Sequence, residues 1–314
     1  MPRLRWLASF PVHERGRAFG ITLMAAQIGG AFAPLLVVPI QIHYGWRASF
    51  YVFGILGVVW SAAWFWWFRD SPAEKAGVSR TELEETRGLI AKAHRGLPWN
   101  IVLRSGNFWA TMGVAFCYVY TFNFFQSWFH TFLVKARGYS ESNLLLSSLP
   151  FLVAACANLC GGFASNALVR RLGLKWGRRS IGLVGLGIAA PCTAAVMFTH
   201  QWFWVLVLLS LAYGGITFQQ PIMFAVCLDI GGEHAGEVVG AMNTSSQTGS
   251  LVSSVAFGYL VGHFGSYNLP FIPMAVLCAI GACLWLKVDP SLRLVQHLDG
   301  PPLEANRKVD WLMT

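Results

Sequence analysis

Charge is what this sequence has least of. Of its 314 residues, 12% are Asp, Glu, Lys or Arg, about half the roughly 25% of a soluble domain. That shortage excludes water as the solvent for most of the surface. Zinc-spaced cysteines are missing too. Cys117, Cys156, Cys160, Cys192, Cys227, Cys278 and Cys283 all fall in apolar stretches and read as small packing residues. There is no HExxH box, no GxSxG elbow and no Walker loop, so no metal and no cofactor is expected. No Asp or Glu lies mid-span, and a membrane-embedded enzyme would need such a catalytic cluster. Met1–Arg17 has no apolar core ending in a small-residue cleavage site, so no signal peptide is read. The sequon at Asn243 lies at membrane depth and is set aside.

What is present is grease, 55% of the chain. The hydrocarbon core of a bilayer is roughly 30 Å thick and takes about 20 apolar residues per helix. Eight stretches fit, near 18–40, 47–68, 107–134, 143–169, 180–199, 202–228, 238–262 and 268–288. None alternates apolar and polar residues as a β-barrel strand would. The expected fold is all-α, a bundle of about eight membrane helices. Arg69–Arg104 is the one long polar segment, with two spans before it and six after. The chain divides into 1–69 (two helices), 70–105 (central loop), 106–290 (six helices) and 291–314 (tail). Inside the loop, Ser79-Arg-Thr-Glu82 has the capping-box pattern. It reads equally well as a surface-lying amphipathic helix or a solvated linker.

Alternating the spans puts all but Arg47, Lys135 and Arg137 of the 23 basic residues on one side. By the positive-inside rule that side is the cytoplasm, with both termini of this chain. The net charge of +9 then needs no nucleic acid, because basic loops beside anionic lipid account for it. The expected location is the cell inner (plasma) membrane, as a multi-pass protein.

A repeat runs through the ends of the chain. A shift of 220 places Gly16 on Gly236, Gly20 on Gly240, Gln27 on Gln247, Gly29 on Gly249, His43 on His263 and Gly45 on Gly265, without a gap. The first two spans and the last two are then one unit in one orientation, as in transporters built from parallel repeats. Under the same shift, spans three to six would have counterparts before residue 1. The sequence therefore reads as the last eight helices of twelve.

Several stretches resemble the major facilitator superfamily, and more narrowly its anion:cation symporter branch, across residues 3 to about 290. They are Glu14–Gly20 with Gln27–Gly30 and Pro34, Gly45-Trp-Arg47 with Phe50, Trp128–Gly138, Gly161–Arg179, and Leu228–Gly236 with Gly240, Met242 and Asn243. The resemblance implies proton-driven symport of a small organic anion, a sugar acid or other carboxylate, by alternating access. It assigns gating to the signature residues Gly162, Asn166, Arg170, Arg171, Gly177, Arg178 and Arg179. Two positions depart from the family: His130 stands where a proline is usual, and Asn166 where an Asp is usual. The family's substrate-gripping arginine and proton-carrying carboxylates have no counterpart among these residues.

A polar side chain in hydrocarbon is costly unless it meets a cavity or a partner. Gln27, Asn243, Gln247, Gln220, Asn123, Gln126 and Tyr118 are the candidates for substrate binding. Neutral amides and a phenol suit a polyhydroxylated substrate. Their competing reading is interhelical glue. The competing reading of the whole chain is an inactive remnant or a membrane protein that transports nothing.

Overall fold

The computed structural model describes residues 15–67, 96–138, 148–199 and 201–295. The proposed surface helix of the central loop lies outside them. Among the described residues the structure is all helix and turn, without strands.

The helices are α1 (Arg15–Tyr44), α2 (Trp46–Trp67), α3 (Trp99–Val102), α4 (Gly106–Ser127), α5 (Phe129–Thr131), α6 (Leu149–Ala195), α7 (Trp202–Gly231), α8 (Ala235–Phe264) and α9 (Phe271–Trp285). Four helical runs are long and apolar enough to cross a membrane: Trp46–Trp67, Gly106–Ser127, Leu149–Phe198 and Trp202–Phe264. Two of them are too long to cross once. At 1.5 Å per residue the 47 residues of α6 would reach about 70 Å, over twice the hydrocarbon core. The run instead folds back at Gly173, with φ 77° and ψ 172°. A side chain there would be strained, so glycine is required. The run through α7 and α8 breaks likewise at Gly232, with φ 54°. Each of these runs is a pair of crossings, and with α1, α2, α4 and α9 they make up the eight apolar stretches.

Between the fourth and fifth spans, helix continues on both sides of Gly173. One detail differs from the sequence reading: the third span is not continuous. It stops at Trp128, restarts as the single turn α5, and widens into a π turn over Phe132–Ala136.

The repeat is visible in the structure. The C-terminal ends of α1 and α8 are related by the same shift of 220, Tyr44 to Phe264. Each is followed by a glycine of positive φ, Gly45 at 78° and Gly265 at 64°.

α6 forms the backbone of the packing, with α1, α7 and α9 against it. α8 lies along α4, and α9 lies between α4 and α6. Small residues set these contacts. A Cβ on Gly161 would fall 1.9 Å from the carbonyl oxygen of Phe218 in α7, and one on Gly249 would fall 2.6 Å from that of Phe116 in α4. The aromatic centre of the core is Phe124, with Phe271 at 5.1 Å, Phe132 at 5.8 Å and Phe257 at 5.8 Å. α2 stands apart, with most of its surface uncovered and α1 as its neighbour.

Candidate functional site

Two polar constellations are built into this apolar frame. The first closes the basic end of the bundle. α1 and the first leg of α6 approach closely there, because Gly16 and Gly20 face Gly162. A Cβ on Gly162 would lie 2.5 Å from the Gly16 carbonyl oxygen. That approach brings Arg15 to Asp229 of α7, Nη1 to Oδ1 at 2.9 Å. Arg178, from the second leg of α6, reaches the other oxygen of Asp229 at 3.3 Å and donates to Ser165 Oγ at 2.8 Å. Arg178 is fully enclosed, and the Asp229 side chain is 1% exposed. Buried charges survive only when paired and hydrogen-bonded, and here one carboxylate serves two arginines from two elements.

The signature residues divide around this knot. Gly162 permits the helix approach. Gly177 allows α6 to double back, since a Cβ on it would meet Val169 at 2.6 Å. Arg178 forms the ion pair, while Arg179 donates to the carbonyl of Val288 at 2.6 Å and lies over the Trp176 ring. Asn166 is buried beside Gly16 with its Oδ1 unpartnered. Arg170 and Arg171 are exposed. Sequence reasoning missed Arg15 and Asp229 as partners. The available signal was that a carboxylate at the end of an apolar span needs a cation.

The second constellation lies on the order of 20 Å further along the helices, counting residues from the ion pair to Gln27 and Tyr213. Tyr213 of α7 is fully buried. Its ring stacks on Phe125 at 4.2 Å, with Phe122 and Phe151 each at 5.5 Å. The clamped ring holds its hydroxyl between two amides. Gln27 of α1 donates to it at 3.2 Å, and Gln126 of α4 at 3.0 Å. Gln27 and Gln126, chosen from the sequence, are thus joined by a tyrosine that was not. It escaped notice because one tyrosine in an apolar run has no pattern of its own.

The other candidates lie elsewhere. Asn123 is buried in a bridge between α4 and α8, donating to Ser254 at 2.9 Å and accepting from Ser250 at 2.8 Å and Ser127 at 3.3 Å. Tyr118 is buried in the same helix. Asn243 and Gln247 are exposed, one turn apart on α8, beside Thr244 and Thr248. Gln220 is half-buried with Oε1 unpartnered, and the neighbouring Gln219 is fully buried with both polar atoms unpartnered. Among the described residues, no cluster of three or more His, Cys, Asp or Glu is placed to hold a metal.

Comparison with known proteins gives this arrangement a context. The sequence matches the Major Facilitator Superfamily over residues 6–254 and 175–305. It is 33% identical over 301 residues to a probable sulfoacetate transporter of Cupriavidus necator, covering 94% of this chain and 69% of that protein. It is 28% identical to a probable chloroplastic anion transporter of Oryza sativa, covering 88% and 53%. It is 26% identical to the hexuronate transporter of Bacillus subtilis, covering 96% and 71%. The chain therefore spans from about half to about seven tenths of the length of these relatives.

Proposed function

Because the chain belongs to the major facilitator superfamily, whose members are membrane transporters and not enzymes, we propose that it serves the uptake of a small organic anion across an inner membrane. The substrate is a sugar acid or another carboxylate, and entry is driven by protons. The basic end faces the cytoplasm, in keeping with the positive-inside rule. The observation that carries the reading is the buried Arg15–Asp229–Arg178 knot. It joins α1, from the first repeat unit, to the legs of the later bundle at the basic end. A lock of that kind separates two states of access, closed at the basic end when made and open there when broken.

Binding falls to the neutral amides. Gln27 and Gln126 meet at Tyr213, between the first unit and the rest. A substrate hydroxyl that replaced the tyrosine hydroxyl would be held by both. Asn243 and Gln247 present a second polar stripe on α8. Relatives named for sulfoacetate and hexuronate support an anionic substrate.

The test is uptake of labelled hexuronate and sulfoacetate into vesicles containing the chain, with and without an imposed proton gradient. Accumulation that needs the gradient is expected. Uptake indistinguishable from empty vesicles, under either condition, would overturn the reading.

A further inference from the structure

A shallow groove of about 380 Å³ runs down one face of α9, lined by Val276, Ala279, Ile280, Cys283, Leu284 and Lys287. Five of the six are uncharged and mostly apolar, and Ala279 and Cys283 are small. The sixth, Lys287, is an exposed cation at one end. Leu284 also packs against Gly113 of α4. The groove is about 17 Å long from Val276 to Lys287. One leaflet of hydrocarbon is about 15 Å deep, half the roughly 30 Å core. The lining thus matches one acyl chain, and the lysine comes where that chain's headgroup would lie.

The surroundings of Lys287 fit a headgroup too. Asn107 at the start of α4 clasps the chain just beyond α9. It accepts from the Asp289 amide at 2.8 Å and donates to the Asp289 carbonyl at 2.8 Å. Arg104 and Trp109, both exposed, flank Asn107 in the chain, close to this clasp. The Trp109 indole donates to the Leu103 carbonyl at 2.8 Å, which fixes it at this rim. Tryptophan and cations together at one level mark the interface between headgroups and hydrocarbon.

We propose that this groove binds one anionic phospholipid from the leaflet on the Lys287 side. An acyl chain occupies the α9 face, and the phosphate is held by Lys287 with Arg104 nearby. The site is independent of the transport reading, because it needs only the membrane fold.

The experiment uses the full chain in mild detergent with phosphatidylglycerol or phosphatidylcholine added. Native mass spectrometry counts retained lipid, and N-ethylmaleimide reports on Cys283 in the groove, with exposed Cys156 and Cys160 as internal references. Phosphatidylglycerol is expected to be retained in preference, and to slow modification of Cys283 severalfold while the two references are unchanged. Lys287→Gln is expected to lower retention about fivefold, the equivalent of about 1 kcal/mol per basic residue at a membrane surface. Lys135→Gln, at the other end of the bundle, should leave it unchanged. Equal retention of both lipids, equal slowing of all three thiols, or full retention in Lys287→Gln would each overturn the proposal.

Discussion

At the scale of single residues, the structure contrasts two glutamines. Gln27 is buried and meets Tyr213, whereas Gln219 is buried and meets nothing with either polar atom. An unmade hydrogen bond on a buried group costs about 1–3 kcal/mol. Gln219→Leu, of similar volume and packed against Gly185, should therefore raise the melting temperature in detergent, read by a thermal-shift assay. Tyr213→Phe should act in the other direction. It strips the common partner from Gln27 and Gln126, leaves the aromatic clamp, and should lower stability by about 1–2 kcal/mol, read as a fall in melting temperature. Gln27 was legible in the sequence because an amide in hydrocarbon is conspicuous. Tyr213 was not, since an aromatic ring belongs in such a run and only packing shows which hydroxyl has partners.

At the scale of elements, the ends of helices carry the polar work. Beyond α9, Asp289 is bound by Lys175 at 2.6 Å, by the Ser291 amide at 3.1 Å and by the Ser291 hydroxyl. Burial alone would raise the Asp289 pKa. The hydrogen bonds from Lys175 and Ser291, with the Lys175 charge, outweigh it and hold the carboxyl below its ordinary value. A carboxylate with a depressed folded pKa stabilises above its unfolded pKa, near 3.9, and loses that contribution as pH falls through the folded value. Melting curves of the wild type and Asp289→Asn should therefore differ at neutral pH and converge below about pH 4. The apolar spans themselves were readable by length. The continuous turn at Gly173 was not, because two spans joined by helix and two joined by loop have the same hydropathy. Nor was the break at Trp128, which no proline or glycine announces.

At the scale of the whole molecule, one buried carboxylate ties three elements together. Asp229→Ala would leave Arg178 enclosed without its anion, a loss of about 3–5 kcal/mol for a broken buried pair. Thermal stability should fall accordingly. Adding Asn166→Asp should restore part of it. Asn166 Oδ1 and Arg178 Nη1 approach the same point beside Gly16, at 3.0 and 2.9 Å from where its Cβ would stand. Double-mutant melting curves check both statements. The basic side of the fold was legible from charge counting. The knot itself was not, because its members come from positions 15, 178 and 229, far apart in the chain.

The shift that relates α1 to α8 has a further consequence. It places a matching glycine in two settings, Gly20 and Gly240. A Cβ on Gly20 would crowd the Asn158 carbonyl oxygen at 2.9 Å, while one on Gly240 would meet no atom within 4 Å. In open helix, Gly→Ala stabilises by about 0.5–1 kcal/mol. Gly240→Ala should therefore raise the melting temperature, and Gly20→Ala should lower it. The difference between them weighs one interhelical contact with backbone preference cancelled, so the duplicated chain serves as its own reference standard.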